Sequence, residues 1–366
     1  MNRSKKKVLF VFRDYFSRNR GTPLRIKSLI KEIEKDDSFE LYSASRDEKV
    51  SFSVGHICLG TANAKNILAI NKFIKEKDIE VVVFHTIAAA YYLLPLLLLS
   101  RKYKRVLEMH GFFEEEARLY DDITFLKYYR NKFIYATIYS LCHLITTCSD
   151  TATQRIRRYN KNTHTIYGGV DLSLFNPSLN KEVTKSGGTK EVIIGYAGNG
   201  RRWQGLEFLL EAFSVLVERD SSFSLRLLLS EPVRIPNIPN LTVYDALPHN
   251  EVARFNAGCD ILVIPRLDNV VNKISFPSKL MEYLAMGKAV VGSRTSDIHK
   301  IITHKETGML YTPGDIEDFI SCLVALKDPV LREKLGENGY KLAKNHYSWE
   351  MQGTLFAHLL VTVDGK

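Results

Sequence analysis

This chain of 366 residues has no CxxC pair, no DxD triplet and no GxGxxG run. Its five cysteines (Cys58, Cys142, Cys148, Cys259 and Cys322) are an odd number and widely scattered. That spacing argues against a structural zinc and against a disulfide framework, and it suits a reducing compartment. No apolar run approaches the roughly 20 residues a transmembrane helix needs. The run Val8 to Phe12, behind the basic MNRSKKK, is too short for the core of a signal peptide. With 21 Gly and 11 Pro, near-average usage, no collagenous or low-complexity segment is expected. Secretion, disorder and membrane spanning are therefore not expected. The chain reads as cytoplasmic and, at roughly 100–200 residues per domain, as two domains.

What is present is an uneven charge. Residues 1–176 hold 29 Lys and Arg against 19 Asp and Glu, whereas residues 177–366 hold 22 of each. The whole net charge of +10 thus belongs to the first half. A one-sided basic field suits an acidic partner such as anionic lipid, nucleic acid or a phosphorylated substrate. A surface serving only solubility is the plainer alternative.

Short apolar runs alternate with segments of helical period. Val8–Phe12 reads as a strand, followed by a loop and by a helix with Ile26, Leu29, Ile30 and Ile33 on one face. Val81–Phe84, Arg105–Met109 and His143–Thr147 read as further buried strands, the last ending at Ser149, an N-cap for a helix through Arg158. The second half repeats the theme with Glu191–Ala197, Ser224–Leu229, Leu241–Val243, Asp260–Ile264 and Ala289–Gly292. Continuous apolar strands alternating with helices predict parallel sheets covered on both faces. The polar, turn-rich stretch up to residue 190 reads as a linker. The expected organisation is a Rossmann-like domain over 1–176, a linker over 177–190 and a second Rossmann-like domain over 191–345. A C-terminal helix over 346–366 is expected to return toward the first domain.

Two segments carry alternatives. Ile87–Leu99 has one proline and no charge, which fits a buried helix or an interfacial one. Phe125–Leu144 interleaves Lys127, Arg130 and Lys132 with Tyr128, Tyr129, Phe133, Tyr135 and Tyr139. That mixture suits a helix lying on an anionic bilayer, and equally an amphipathic helix with solvated lysines.

In open parallel sheets, ligands bind outside the carboxyl ends of the strands, and three segments sit at such ends. GYAGNGRRWQG, residues 195–205, is a glycine-rich turn. Its backbone N–H groups can approach a phosphate with Arg201 or Arg202 adding charge, or it can be a tight turn only. In SFPSKLMEYLAMGKAVV, residues 275–291, Pro277 fits the first position of a helix, which would aim the N–H groups of Ser278 and Lys279 at an anion. Glu282, one turn on, can accept from sugar hydroxyls or simply be a solvated acid. EMHGFFEEE, residues 108–116, places His110 beside a glycine at a strand end, as a ligand contact or a structural histidine.

From Glu191 onward the chain resembles glycosyltransferase family 4, of the GT-B fold. The matching features are YAGN and QGLEFLLEAF, the strand-final CDILVIPR, PSKLMEYLAMGKAVV, HKETGMLYTPGDIEDFISCL and HYSWEMQGTLFAHLL, in that order. Weaker matches in the first half are EMHGFF, LITTCSDTATQRI and IYGGVDLSLFNP. The resemblance implies an α/β architecture of two Rossmann-like domains with a cleft between them. It implies that Glu282 holds the ribose hydroxyls of a nucleotide-diphosphate sugar. Backbone around Phe276, Pro277 and Ser278 and around Gly198, Asn199 and Gly200 would receive the diphosphate. Gly21 matches the family's N-terminal glycine loop, and His110 a histidine near the donor sugar, taken here as the catalytic candidate.

Two positions depart from the family pattern. Ile274 stands eight residues before Glu282, where the family has a second glutamate. The family's phosphate-loop Arg and Lys fall near Asn199 and Gln204, which leaves Arg201, Arg202 or Lys279 to supply the charge.

The activity implied is retaining, metal-independent transfer of a sugar to an acceptor hydroxyl, in polysaccharide or glycolipid synthesis. No cofactor is implied beyond the donor substrate. The implied acceptor is a saccharide or lipid-linked molecule bound by the basic first domain, peripheral to an anionic membrane surface, with no nucleic acid. The alternatives are a sugar-nucleotide epimerase of similar fold and a nucleic-acid-binding protein, for which no recognised motif is present.

Overall fold

A computed structural model describes residues 5–13, 21–59, 64–99, 102–119, 123–179 and 191–363. The chain divides into two compact units, one of residues 1–167 with 349–366 and one of residues 168–348. Residues 168–176 thus group with the second unit.

The first unit is built on β1 (Lys6–Phe12), β2 (Phe39–Ser45), β3 (Gly55–Cys58), β4 (Val81–His85), β5 (Lys104–Met109), β6 (Leu144–Thr147) and β7 (Thr163–Thr165). These form one sheet in the order β3-β2-β1-β4-β5-β6-β7. Every pairing is parallel, with Val8 opposite Val81 and Val83 opposite Val106. β1 and β4 read as continuous apolar runs because both of their faces are covered. Below the sheet, Ile26, Leu29, Ile30 and Ile33 of the helix Gly21–Ile33 bury their stripe with Phe356 and Leu360 of the helix Trp349–Thr362. The two helices cross closely, since a Cβ on Gly353 would fall 2.3 Å from Glu32 Cβ. Residues 14–20, between β1 and Gly21, lie outside the described residues.

The second unit contains β8 (Val192–Gly198), β9 (Phe223–Leu229), β10 (Leu241–Tyr244), β11 (Ile261–Ile264), β12 (Ala289–Ser293) and β13 (Met309–Tyr311). Their order is β10-β9-β8-β11-β12-β13, again all parallel. The helix Leu206–Arg219 covers this sheet with Leu209, Phe213 and Leu216, and Phe208 stacks on Tyr311 at 5.7 Å. Both sheets are thus Rossmann-like. In each, the strand order reverses beside the first strand, between β1 and β4 and between β8 and β11, which is where such sheets open a crevice at their carboxyl edge.

Local details depart from the sequence reading. Ile87–Leu99 is two short helices, Ile87–Tyr92 and Leu94–Leu99, broken at Leu93. Pro95 sits in the first turn of the second, where its missing N–H costs nothing. The expected linker is described only to residue 179. No disulfide is present among the described residues, and only Cys58 of the five thiols is exposed.

Candidate functional site

The switch point of the second unit is built around glycines that no other residue could replace. Gly205, φ +78°, ends the short 3₁₀ turn Arg202–Gln204, and a Cβ there would lie 1.7 Å from the Pro265 carbonyl. The loops after β8 and β11 can therefore touch backbone to backbone. At the end of β8, a Cβ on Gly198 would lie 2.5 Å from Lys279 Nζ and 2.7 Å from the Tyr196 hydroxyl. That hydroxyl donates to the Asn199 carbonyl at 3.0 Å and shapes the turn.

Lys279 opens the helix Lys279–Ala285. The helix is tied to β8 by Tyr283, whose hydroxyl accepts from Ala197 N–H at 2.9 Å. The ammonium of Lys279 lies 4.3 Å from the centre of the Tyr196 ring, buried and without a hydrogen-bond partner. Burial pushes it down to about 7, with the Arg266 charge adding to the effect and Glu282 opposing it. An unpaired buried cation is costly unless something neutralises it. This one lies under a glycine turn at the carboxyl edge of the sheet.

Arg266, which ends CDILVIPR and which nothing in its spacing singles out, is buried, lies over the Trp203 ring at 5.0 Å and donates from Nη1 to Ser275 Oγ at 3.0 Å. By contrast, Arg201 and Arg202 are exposed. Gln204 and Ile274 are buried, so neither position can carry a solvated charge. Phe276 is half-buried with its ring 3.4 Å from where a Gly168 Cβ would stand, Pro277 is buried and Ser278 exposed. The helix starts two residues after Pro277, and Ser278 makes no side-chain cap.

Glu282 is mostly buried, and His249 at the start of the helix His249–Ala257 reaches its Oε1 from Nε2 at 3.0 Å. The hydrogen bond to Glu282 raises the imidazole pKa, against burial, and Asp171 adds to the rise. His249 stacks obliquely on Phe175 at 5.2 Å. Nothing in the sequence marked it, since its partner is 33 residues away.

In the first unit, His110 follows β5 and sits beside two other polar residues at the sheet's carboxyl edge. Glu108 is fully buried. It accepts from Arg25 Nε at 2.9 Å and faces His85 Nδ1 at 2.9 Å and His110 Nε2 at 2.5 Å. Burial pushes the Glu108 carboxyl up, but His110 and Arg25 outweigh it and hold the group well below the usual carboxylate range. Burial pushes His110 down to about 4. Gly21, the other expected residue of this unit, opens the helix that carries Arg25.

Comparison with known proteins follows the same division. The family described as Glycosyltransferase Family 4 matches residues 39–174, and the family Glycosyl transferases group 1 matches residues 191–328. The chain belongs to the family 4-like glycosyltransferases. Its fold is GT-B. A D-inositol 3-phosphate glycosyltransferase of Corynebacterium efficiens is 26% identical over 212 residues, 52% of this chain and 49% of that protein. The capsular polysaccharide biosynthesis glycosyltransferase CapM of Staphylococcus aureus is 22% identical over 48% of each chain. The match thus spans about half the length of these curated relatives. Among solved structures, sucrose-phosphate synthase of Thermosynechococcus elongatus superposes with a TM-score of 0.79 at 15% identity, covering 98% of this chain and 99% of its own. HepE of Anabaena, solved with UDP and glucose, gives 0.75 at 13% identity, covering 98% and 100%. No described helix is long and apolar enough to cross a membrane.

Proposed function

We propose that this glycosyltransferase moves a sugar from a nucleotide-diphosphate donor to an acceptor hydroxyl in polysaccharide or glycolipid synthesis, with retention at the anomeric carbon and without a catalytic metal. One observation carries the reading: the buried ammonium of Lys279, with no hydrogen-bond partner, beside Gly198 at the start of the glycine turn. A diphosphate laid on that turn would meet backbone N–H groups and gain Lys279 as its counter-charge. Lys279, with Arg266 behind it, then replaces the cations that Asn199 and Gln204 cannot provide. Because the leaving diphosphate gains charge in the transition state, a fixed cation and preorganised N–H groups favour transfer over binding alone. Glu282 would accept from the ribose hydroxyls through the oxygen that His249 leaves open.

We also propose that the enzyme works at the surface of an anionic membrane. The helix Phe125–Leu141 exposes Phe125, Leu126 and Phe133 by 70%, 80% and 74%, with Lys127 and Arg130 exposed among them. Apolar side chains ringed by cations suit the surface of an anionic membrane, and with it a lipid-linked acceptor. The test of the activity is incubation with a panel of nucleotide sugars. Slow release of nucleoside diphosphate supports transfer, whereas conversion to a second sugar nucleotide would identify an epimerase instead.

A further inference from the structure

The group at the carboxyl ends of β4 and β5 is more constrained than a buried ion pair requires. Arg25 is anchored by all its arms: Nε donates to Glu108 Oε1, Nη1 to the Tyr167 carbonyl at 2.8 Å and Nη2 to the Ile166 carbonyl at 2.6 Å. The other carboxylate oxygen, Oε2, faces the two histidines. A carboxylate ion only accepts, so the ring nitrogen nearest it, His110 Nε2, is the one that carries a proton, and the same N–H faces His85 Nδ1 as an acceptor. These two nitrogens are 3.3 Å apart, farther from each other than either is from Oε2. The imidazole rings stand edge to face at 4.4 Å and 83°, which fixes both planes.

We infer that Glu108 is a positioning residue that locks His110 in its Nε2–H tautomer and so presents the Nδ1 lone pair to a sugar hydroxyl. No described residue bonds that Nδ1, and the His110 side chain keeps 11% of its surface open. A neutral imidazole with one nitrogen held by a carboxylate has a single acceptor to offer, and a hydroxyl proton is what it fits. Backbone strain marks the same place. Thr86, directly after His85, has φ +75° and ψ 155°, a conformation a β-branched residue rarely adopts, while its N–H is held by the Glu108 carbonyl at 2.9 Å. The strain and the anchored arginine together point to a geometry kept for its own sake. The tautomer stands on geometry alone, whereas its use on a sugar hydroxyl rests on the glycosyl-transfer reading.

The experiment uses the full chain labelled with ¹⁵N-histidine. Two-bond ¹H–¹⁵N spectra report which ring nitrogen is protonated, with His85→Gln and His110→Gln assigning the signals. The expected result is a proton on Nε2 of His110 in the native chain and a shift toward the other tautomer in Glu108→Gln. In that variant, release of UDP from UDP-glucose should fall about a hundredfold, as misplacement of a catalytic group does, while the thermal shift given by UDP persists. Should Glu108→Gln fail to fold, the native spectrum alone decides. A proton on Nδ1 of native His110 overturns the inference. So does an unchanged tautomer in Glu108→Gln, or stoichiometric displacement of both histidine signals by added Zn²⁺, which would make the three residues a metal centre. A native Nε2–H signal in a chain that consumes no nucleotide sugar leaves the tautomer standing and removes the transfer reading.

Discussion

His249 donates from Nε2 to Glu282 Oε1 across 3.0 Å, joining the first residue of one helix to the acid one turn into another. The pair leaves Glu282 one oxygen for a ligand and fixes the direction it faces. Glu282→Gln keeps the shape and loses the charge, removing a contact worth roughly 1.5–3 kcal/mol for a charged hydrogen bond. UDP affinity should fall about tenfold or more, with turnover at saturating donor changed less. Isothermal titration with UDP checks this, and unchanged affinity would remove Glu282 from the nucleotide site.

The same pair sets a pH dependence of stability. The His249 pKa is raised above 6.5 in the folded chain, chiefly by the hydrogen bond to Glu282. Its contribution is therefore fully present below about pH 6.5 and is lost as pH rises through the raised value. Melting temperatures of the native chain and His249→Asn should differ most on the acid side and converge as His249 deprotonates. A constant difference across that window would show that the pair does not titrate.

Lys279 has the opposite sign. Its ammonium is pushed down to about 7, first by burial, so near neutral pH a large fraction is unprotonated before a ligand arrives. A bound diphosphate favours the charged form, so binding should take up protons near pH 7–8 and weaken as pH rises above about 7. Calorimetry of UDP binding in buffers of different ionisation enthalpy measures the uptake. Lys279→Met should abolish it and lower affinity. Proton uptake that survives in the variant would place the titrating group elsewhere.

Much of this arrangement was legible in the sequence. Strands β1, β4, β8 and β11 announce themselves by continuous apolar runs because both faces of a parallel sheet are covered, whereas β5 and β9 carry Arg105, Glu108 and Arg226 within theirs. The edge strand Gly55–Cys58 and the three-residue strands Thr163–Thr165 and Met309–Tyr311 give no such signal, being too short for a period to show. Lys279 and Glu282 could be singled out because PSKLMEYLAMGK places them at a strand-loop-helix junction. Arg25, His85, Arg266 and His249 could not, since each acquires its role from a partner that only the fold brings near. The expected start of the helix at Pro277 moved to Lys279, the usual scale of disagreement at a helix end.

Gly205 tests the turn independently of any ligand. With φ +78° and a Cβ that would stand 1.7 Å from the Pro265 carbonyl, Gly205→Ala must displace backbone rather than a side chain. A loss of about 2 kcal/mol or more is expected, from positive-φ strain together with overpacking. Urea unfolding followed by circular dichroism measures it, and a variant as stable as the native chain would contradict the close approach of the two loops.

The exposed stripe on the helix Phe125–Leu141 predicts binding to vesicles containing anionic lipid and release by salt, since screening shortens the field to about 8 Å at 0.15 M. Lys127→Glu with Arg130→Glu should weaken sedimentation with such vesicles, and Phe133→Ser should weaken it at every salt concentration. Lys132 belongs less to this face, because it folds over the Tyr128 ring at 5.0 Å. Equal binding to neutral and anionic vesicles would contradict the electrostatic part.

The central claim is that Lys279 and the Gly198–Gly200 turn stabilise a departing diphosphate without a metal. The most direct measurement is nucleoside diphosphate release from a panel of nucleotide sugars, in the presence of excess EDTA, by the native chain and by Lys279→Met. The account predicts release by the native chain that EDTA does not diminish and a loss of about a hundredfold or more in Lys279→Met, the scale seen when one preorganised charge-stabilising donor is removed. Release abolished by EDTA and restored by Mg²⁺ or Mn²⁺, or undiminished in Lys279→Met, would contradict it.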